Sequence, residues 1–201
     1  MRQIAFVVTF LLLLTAPCDA GKIIKNSTLG FEIELPDGWT ELSSNDFYEN
    51  LGRINLDDPK FQDYLQKNAS VPVVIASKHP EPYDDVNPSL KINARPYGAI
   101  PTRDAVEIAG LLLTGIKKLF PDLEVINPPS QKNVDAKNGA HVQVRYSLKT
   151  SVGTFPIESE LWVIPTKNFF YMIGIGYRPD GKTGSRDDAV SSIEKMKILT
   201  P

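Results

Sequence analysis

The sequence predicts an α+β fold organised around an antiparallel β-sheet. Three consecutive segments within residues 141–177 alternate apolar and polar side chains, as half-buried strands do. Short polar turns separate these segments, and such turns join antiparallel neighbours. A helical pattern with a wide apolar stripe, residues 103–120, precedes them. We therefore expect a three-stranded meander with a long helix lying across it.

The register of the first two meander strands follows from their turn. If two residues form the loop after Thr150, Arg145 lies opposite Glu158, and Gln143 lies opposite Glu160. This register keeps the apolar residues of both strands on one face, whereas a shift by one residue would place charges on the core side. A cross-strand ion pair is therefore predicted at Arg145 and Glu158.

The third strand of the meander, residues 169–177, is apolar on both sides, which is typical of a central strand. It carries two glycines on one face, and we expect Glu158 to neighbour Gly174. Arg145, Glu158, Glu160 and Gly174 would then form a flat strip that a helix or a ligand could approach closely. This strip is the first candidate binding surface.

The rest of the chain predicts further strands and helices around the meander. Apolar alternation, turn residues and capping residues mark their limits. The predicted elements are a strand at 26–35, two helical pieces within 43–68, strands at 71–77 and 89–97, a helix at 103–120, a short strand at 123–126, a helix at 186–196 and a final short strand or tail at 197–199. A turn at residues 36–38 precedes Trp39, whose ring we expect to close the core.

A stiff polar loop is predicted at residues 78–87, between two of these strands. It contains His79 and the acidic pair Asp84 and Asp85. Loops carry function more often than core positions do, so these three residues form the second candidate binding surface. The carboxylates could contribute to a calcium site, but the loop lacks the spacing of an EF-hand, and a solvated acidic loop is the favoured interpretation.

The helix at residues 103–120 is the longest predicted element, with Thr102 as its expected N-cap. Its apolar stripe comprises Ala105, Ile108, Ala109, Leu112, Ile116, Leu119 and Phe120, and it is widened by Leu111 and Leu113. Gly110 and Gly115 lower its helix propensity, which favours a close packing contact at both positions. The glycines of the third meander strand offer a matching flat surface.

Composition and charge exclude several classes of protein. The chain has 201 residues, of which 42% are hydrophobic and 23% charged, enough for one domain with a sizeable core. Its formal net charge of −2 and its pI near 5.7 argue against nucleic acid as the partner, because phosphate binding requires a basic surface.

The first twenty residues predict a signal peptide. Arg2 supplies a short positive region, an apolar stretch covers residues 4–14, and small residues occupy the −3 and −1 positions of a cleavage site after Ala20. We expect residues 21–201 to form one domain in the periplasm or outside the cell. The apolar stretch is shorter than the about 20 residues that a bilayer requires, so no membrane span is expected after cleavage.

Lipidation of Cys18 is the alternative to simple cleavage. Pro17 fits the small-residue pattern before a lipidated cysteine poorly, which disfavours this alternative. Cleavage after Ala20 would remove the one cysteine of the chain. Disulfides, thiolate catalysis and cysteine-ligated zinc would then be excluded together.

No motif for catalysis or cofactor binding is found in the sequence. It contains no P-loop, no G-x-G-x-x-G and no G-x-S-x-G, and neither His79 nor His141 has a partner at metal-ligand spacing. Glu158 and Glu160 would lie about 7 Å apart on one face, which could suit glycoside chemistry. An ion pair with Arg145 explains them more simply. We expect no enzyme, cofactor or metal, although counting residues does not exclude a Ser-His-Asp triad.

The order of the elements resembles the PsbP-like fold. Residues 30–39, G-F-E-I-E-L-P-D-G-W, are similar to the F-x-[IL]-x-x-P-x-x-W start of those domains. The strand at 169–177, the helix after Ser185 and the closing M-K-I-L at 196–199 resemble their end. This family includes the photosystem II extrinsic subunit, Ran-binding Mog-type proteins and the bacterial envelope lipoprotein DcrB. The resemblance implies an α/β/α sandwich with helices on both faces of the sheet.

The resemblance implies little about function, because this fold hosts photosynthetic assembly, GTPase binding, effector chaperoning and other envelope roles. The signal peptide disfavours the cytosolic and nuclear members. We therefore expect an exported, non-catalytic accessory or protein-binding domain of the bacterial cell envelope, acting on an envelope protein. The alternative is a periplasmic small-molecule or ion-binding protein that uses the strip or the loop.

Overall fold

The structure is a computed structural model that describes residues 21–53, 56, 58–59, 62–63, 71–151, 153–184 and 186–199. Its elements are β1 Ile23–Asn26, β2 Phe31–Glu34, β3 Thr40–Glu41, α1 Ser44–Arg53, β4 Val74–Ser77, β5 Ser89–Pro96, α2 Ala105–Leu119, β6 Glu124–Gln131, β7 Ala140–Thr150, β8 Gly153–Pro165, β9 Phe169–Tyr177, α3 Arg186–Glu194 and β10 Lys197–Ile198.

The main sheet has seven strands in the order β3-β4-β5-β9-β8-β7-β6, and all neighbours are antiparallel. The predicted meander is confirmed as β7, β8 and β9, and β9 is the central strand, as expected. A second sheet of three strands, in the order β1-β2-β10, joins the two ends of the described chain. The fold is therefore α+β with antiparallel sheets, as predicted.

The register between β7 and β8 agrees with the prediction. Thr150 pairs with Gly153 across a two-residue loop, and Arg145 lies opposite Glu158. The loop length sets this register, and the alternation of both strands supports it.

The predicted register between β8 and β9 is wrong. Glu158 lies opposite Tyr177, and Gly174 lies opposite Leu161, so Glu158 and Gly174 are on different faces of the sheet. Strand β8 extends to Pro165, and the turn closes through a hydrogen bond of 2.8 Å from the Thr166 amide to the Phe169 carbonyl. The observed register keeps the apolar residues of both strands on the same face, which the predicted one did not.

One face of the main sheet is covered by the three-stranded sheet and by α3. We call it the closed face. Trp162 and Ile173 of the main sheet are fully buried there against Phe31 of β2 and Ile193 of α3. Trp39 also joins this cluster, which confirms its predicted place in the core.

The other face is covered in part by α2, and we call it the α2 face. Ile108 and Ala109 of α2 are fully buried against Val163 of β8 and Phe170 of β9, and Leu113 packs on Val144 of β7. The same face of α2 extends over β6. Helices therefore lie on both faces of the sheet, as the resemblance implied.

Several predicted details of α2 are wrong. Its N-cap is Asp104, whose side chain accepts a hydrogen bond from the Glu107 amide, whereas Thr102 accepts one from the Asp104 amide. The Leu111 side chain is 50% exposed and does not widen the buried stripe. A Cβ at either Gly110 or Gly115 would meet no atom within 4 Å beyond the adjacent residues and backbone of the helix itself, so neither glycine makes the expected close contact.

Some predicted boundaries also change. Residues 26–35 contain a turn and β2 rather than one strand, and β1 was not predicted. Strand β6 continues to Gln131, beyond the predicted end at Ile126, with shifts in its register against β7. Most of the second helical piece within 43–68, and the predicted cap Ser185, lie outside the described residues.

Candidate functional site

A large groove lies on the α2 face, beside α2. Its volume is about 1080 Å³, slightly above the roughly 300–1,000 Å³ of most small-molecule sites. One wall is the side of α2 that carries Leu112, Ile116 and Phe120. Phe47 of α1 and the loop between β4 and β5, residues 78–88, border the groove elsewhere. The polar loop predicted from the sequence thus forms part of its rim.

The groove exists because α2 covers only part of the sheet. The helix packs on β6, β7, β8 and the Phe170 end of β9, while this face of β5 and the glycine end of β9 are left to form the floor. Gly174 and Gly176 lie on that floor. A Cβ at Gly176 would meet Ser89 Oγ at 3.7 Å and Ser159 Oγ at 3.8 Å, which are ordinary contacts. These glycines therefore form an open part of the floor and do not pack against α2, contrary to the prediction.

The lining of the groove is mostly apolar. Leu112, Ile116 and Phe120 continue the predicted apolar stripe of α2 beyond the part that the sheet buries, and they remain half-buried. Ile157 of β8 and Tyr146 of β7 face them from the sheet. Apolar surface left in a concave site of this size is typical of ligand binding.

Lys91 of β5 lies on the floor of the groove. Its Nζ is 5.9 Å from the centre of the Phe47 ring, a distance compatible with a cation–π contact. The side chain is exposed to the groove, yet the surrounding protein reduces its hydration and lowers the pKa of Lys91. Within the described residues, Lys91 forms no ion pair.

The rim loop is held in place by its own side chains. His79 and Tyr83 stack with ring centres 4.4 Å apart, and His79 Nε2 lies 2.6 Å from the Thr183 carbonyl oxygen. Asp85 accepts two hydrogen bonds from Arg178, at 2.9 and 3.0 Å. Burial opposes ionisation of Asp85, but the Arg178 contacts outweigh it and lower its pKa. Asp84 is exposed.

The predicted strip at Arg145 lies on the closed face, on the opposite side of the sheet from the groove. Arg145 Nε donates to Glu158 at 3.0 Å, so the expected ion pair is present. Gln143 Nε2 donates to the other Glu158 oxygen at 3.1 Å. Gly174 belongs to the groove and not to this strip.

Glu160 forms a buried ion cluster that differs from the prediction. It does not pair with Arg145; instead Arg186 of α3 donates to both of its carboxylate oxygens, one of them at 2.8 Å. Tyr177 donates to it at 2.6 Å, and His141 Nε2 lies 2.7 Å from it. Burial alone would raise the pKa of Glu160, but these hydrogen bonds outweigh it and lower the pKa to about 2.

The sequence-predicted residues therefore separate into two places. His79, Asp84, Asp85 and Gly174 belong to the groove or to the elements that border it. Arg145, Glu158 and Glu160 belong to the closed face. Lys91 was missed, although its place between apolar residues of a strand, on the polar side, was visible in the sequence.

The described part of the chain contains neither a metal-binding cluster nor a membrane-spanning helix. There, no three or more His, Cys, Asp or Glu side chains come together in an arrangement that could hold a metal ion. Among the helices described, none has the length and apolar character needed to span a bilayer.

The fold is similar to that of solved proteins at low sequence identity. Cyanobacterial PsbP (CyanoP) from Synechocystis superposes with a TM-score of 0.55 and 12% identity, over 92% of this chain and 96% of that one. LpqN of Mycobacterium tuberculosis, described as involved in cell envelope biogenesis, has a TM-score of 0.49 and 14% identity, over 93% of this chain and 88% of that one.

A protein of unknown function from Pseudomonas aeruginosa, a putative regulator, has a TM-score of 0.49 and 10% identity, over 90% of this chain and 97% of that one. No family model and no curated protein matches the sequence. The similarity to cyanobacterial PsbP confirms the PsbP-like fold, and identities this low carry no information on function.

Proposed function

We propose that this protein is an exported, non-catalytic binding protein whose groove on the α2 face takes up a small, mostly apolar ligand. The groove is the observation that carries the proposal, because its volume of about 1080 Å³ is suited to a small molecule. Of the two functions expected from the sequence, it favours the small-molecule alternative. Export rests on the signal peptide predicted at residues 1–20.

The apolar lining supports binding because exposing it to water is unfavourable. Burying apolar surface contributes roughly 25 cal/mol per Å². A ligand that covers Ile116, Phe120 and Ile157 would therefore gain affinity from the groove alone. The glycines of β9 on the floor make the groove deeper, because without side chains they leave the backbone of the sheet accessible to a ligand.

The contacts of both histidines favour a binding role over hydrolysis. His79 stacks on Tyr83 and contacts the Thr183 carbonyl. His141 contacts Glu160 on the closed face, with its ring 4.6 Å from that of Trp162. Each imidazole is thus engaged in a contact that stabilises the fold.

The experiment is to fill the groove with one substitution. In Gly176→Val, the new side chain would project from the floor, and its Cβ would make only ordinary contacts. We expect the affinity for the neutral dye Nile red, measured by fluorescence titration, to fall about tenfold because the ligand loses volume and contacts.

Gly110→Ala is the matched control, because its position has no neighbour within 4 Å and does not line the groove. Circular dichroism establishes that both variants are folded. Equal Nile red affinity in a folded Gly176→Val variant would contradict the groove as the binding site.

A protein partner on the Arg145 strip is the second candidate, and one observation favours it. The Arg145 side chain keeps 45% of its surface exposed, beside Glu124 with 63%. A crosslinking pull-down from the native envelope with the wild type and an Arg145→Ala, Glu158→Ala variant tests it. A partner recovered reproducibly with the wild type and lost with the variant is the expected result; recovery with both would exclude the strip.

A further inference from the structure

The floor of the proposed ligand site carries one cation without a counter-ion in the described part of the chain. Lys91 projects from β5 into the groove, where Phe47 is the contact made by its ammonium group. Although the side chain is exposed to the groove, the surrounding protein reduces its hydration, which disfavours the charged form and lowers the pKa of Lys91. A ligand that brought a negative charge to this point would compensate for that cost.

Apart from Glu160, whose carboxylate is paired with Arg186 of α3 on the closed face, the acidic residues that line the groove lie on the rim loop. Asp85 is neutralised by Arg178, and the Glu81 carboxylate accepts hydrogen bonds from its own loop. Asp84 is exposed to water, which screens its charge. Electrostatic interactions weaken with distance, so Lys91, which lies on the floor, governs the charge preference there more than the acidic residues of the rim do.

A second donor stands next to Lys91. Ser89 lies two residues earlier on β5, so its side chain projects from the same face about 7 Å away. Its hydroxyl makes no hydrogen bond to any described residue. An ammonium and a hydroxyl group at this spacing can both donate to one carboxylate.

The apolar part of the groove extends away from this polar point. Ile116 of α2 lines one side and Ile157 of the sheet lines the other, and the rings of Phe120 and Tyr146, with centres 4.0 Å apart, close the groove between α2 and β7. The groove thus has a polar donor group on its floor and an apolar channel beside it. Such an arrangement is complementary to a molecule with an anionic head and an apolar tail.

We propose that the groove binds a single-chain amphipathic anion, a long-chain carboxylate, with its head group on Lys91 and Ser89 and its tail along α2. This inference rests on the proposed function and names its ligand class. A single chain fits the volume of about 1080 Å³.

The experiment compares three probes that share one tail: decanoate and decylammonium, each below its critical micelle concentration, and 1-decanol below its solubility limit. Affinities are measured by displacement of Nile red from the wild type, Lys91→Gln, Lys91→Arg and Lys195→Gln. Lys195 is the matched control, because it is exposed and follows α3 on the closed face.

We expect the wild type to bind decanoate most tightly, and Lys91→Gln to reduce that affinity about tenfold, since hydrogen bonds to charged groups are the strongest. Decanol affinity should change less than about twofold in the same variant, because an uncharged head makes no ion pair. Lys91→Arg should retain decanoate binding, and Lys195→Gln should equal the wild type.

Each other outcome has one meaning. If the three probes bind equally well, or if Lys91→Gln leaves decanoate affinity unchanged, the anionic ligand class is overturned while the groove remains a binding site. Tightest binding of decylammonium would also overturn it and would assign the preference to the rim acids. If no probe displaces Nile red, and Gly176→Val does not affect Nile red itself, the proposed function fails as well.

Discussion

Three side chains from three different elements meet at Glu160. His141 comes from β7, Tyr177 from β9 and Arg186 from α3. The carboxylate is fully buried, and a buried charge is tolerated only when its hydrogen-bonding capacity is used. The cluster also fixes α3 to the sheet, because Arg186 lies in the first turn of that helix.

Replacing Glu160 should therefore destabilise the protein strongly. In Glu160→Gln, Arg186 keeps its charge but loses its anionic partner. We expect a loss of about 3 kcal/mol in the free energy of unfolding at pH 7, measured by urea denaturation. Glu124→Gln is the control, because this exposed residue contacts Arg145 only at 3.7 Å. The control should change stability by less than about 0.5 kcal/mol; equal effects in the two variants would contradict this view of the cluster.

Glu160 should also make stability depend on pH in the acid range. Its pKa is about 2 in the folded protein against an ordinary value of 4.5, so its contribution is fully present above pH 4.5 and is lost as pH falls toward 2. We expect the difference in stability between the wild type and Glu160→Gln to shrink across this window. Urea denaturation at several pH values measures it. A difference that stays constant from pH 7 to pH 2.5 would be inconsistent with the lowered pKa.

At the scale of single residues, the sequence predicted one ion pair and missed another. The pair of Arg145 and Glu158 was predictable because a short turn and strand alternation set their register. The pair of Glu160 and Arg186 was not predictable, because it depends on how α3 docks on the sheet. No local pattern relates residues 26 positions apart across a helix and a sheet.

At the scale of elements, α2 contains two glycines that its surroundings do not require. A Cβ placed at Gly110 or Gly115 would have no atom within 4 Å other than those of the adjacent helix itself. We expect Gly110→Ala and Gly115→Ala each to stabilise the protein by about 0.5–1 kcal/mol, because alanine loses less conformational entropy in a helix. Thermal and urea denaturation measure the effect.

Gly38→Ala is a contrasting substitution, because Gly38 has a φ of +73° in the turn after β2. We expect it to be destabilising, since alanine adopts this conformation with strain. Loss of stability in both α2 variants would show that the glycines serve a contact absent from this structure.

The composition of strand β6 explains why the sequence did not predict where this strand ends. It contains two consecutive prolines, Pro128 and Pro129, which in sequence indicate a loop. The strand lies at the edge of the sheet, where one side needs no ladder hydrogen bonds, and its register shifts on either side of Asn127. Proline is tolerated at such edges and bulges. Edge position is a property of the sheet and not of the local sequence.

At the scale of the whole molecule, the two faces of the main sheet are covered unequally. Sequence alternation correctly divided the residues of each of β7, β8 and β9 between two faces, but the predicted register placed Gly174 of β9 on the same face as Glu158 of β8, which is wrong. The groove could not be predicted, because it depends on the position of α2 over β6, β7 and β8 rather than over the glycines of β9. The position of a helix along a sheet is set by packing of many residues at once.

The signal peptide expected at residues 1–20 leads to a prediction about the covalent state of the mature protein. Cleavage after Ala20 would give an N-terminal glycine and remove Cys18, so no lipid would be attached. Intact mass spectrometry of protein recovered after export measures this, with Cys18→Ala expected to yield the same mature mass. A mature protein that begins at Cys18 and carries acyl chains would establish the lipoprotein alternative.

The short sheet of β1, β2 and β10 links the first described strand with the last. Lys25 and Lys197 both lie opposite Glu32, and the Leu199 amide donates to the Gly30 carbonyl at 2.9 Å. A chain that emerges N-terminus first, whether from a ribosome or through a translocon, cannot give β2 its second neighbour until β10 has emerged. Vectorial synthesis thus leaves Phe31, which is fully buried in the finished fold, without its complete surroundings until that point. Chaperones that hold apolar segments would find their target here, in the interval before β10 pairs with β2.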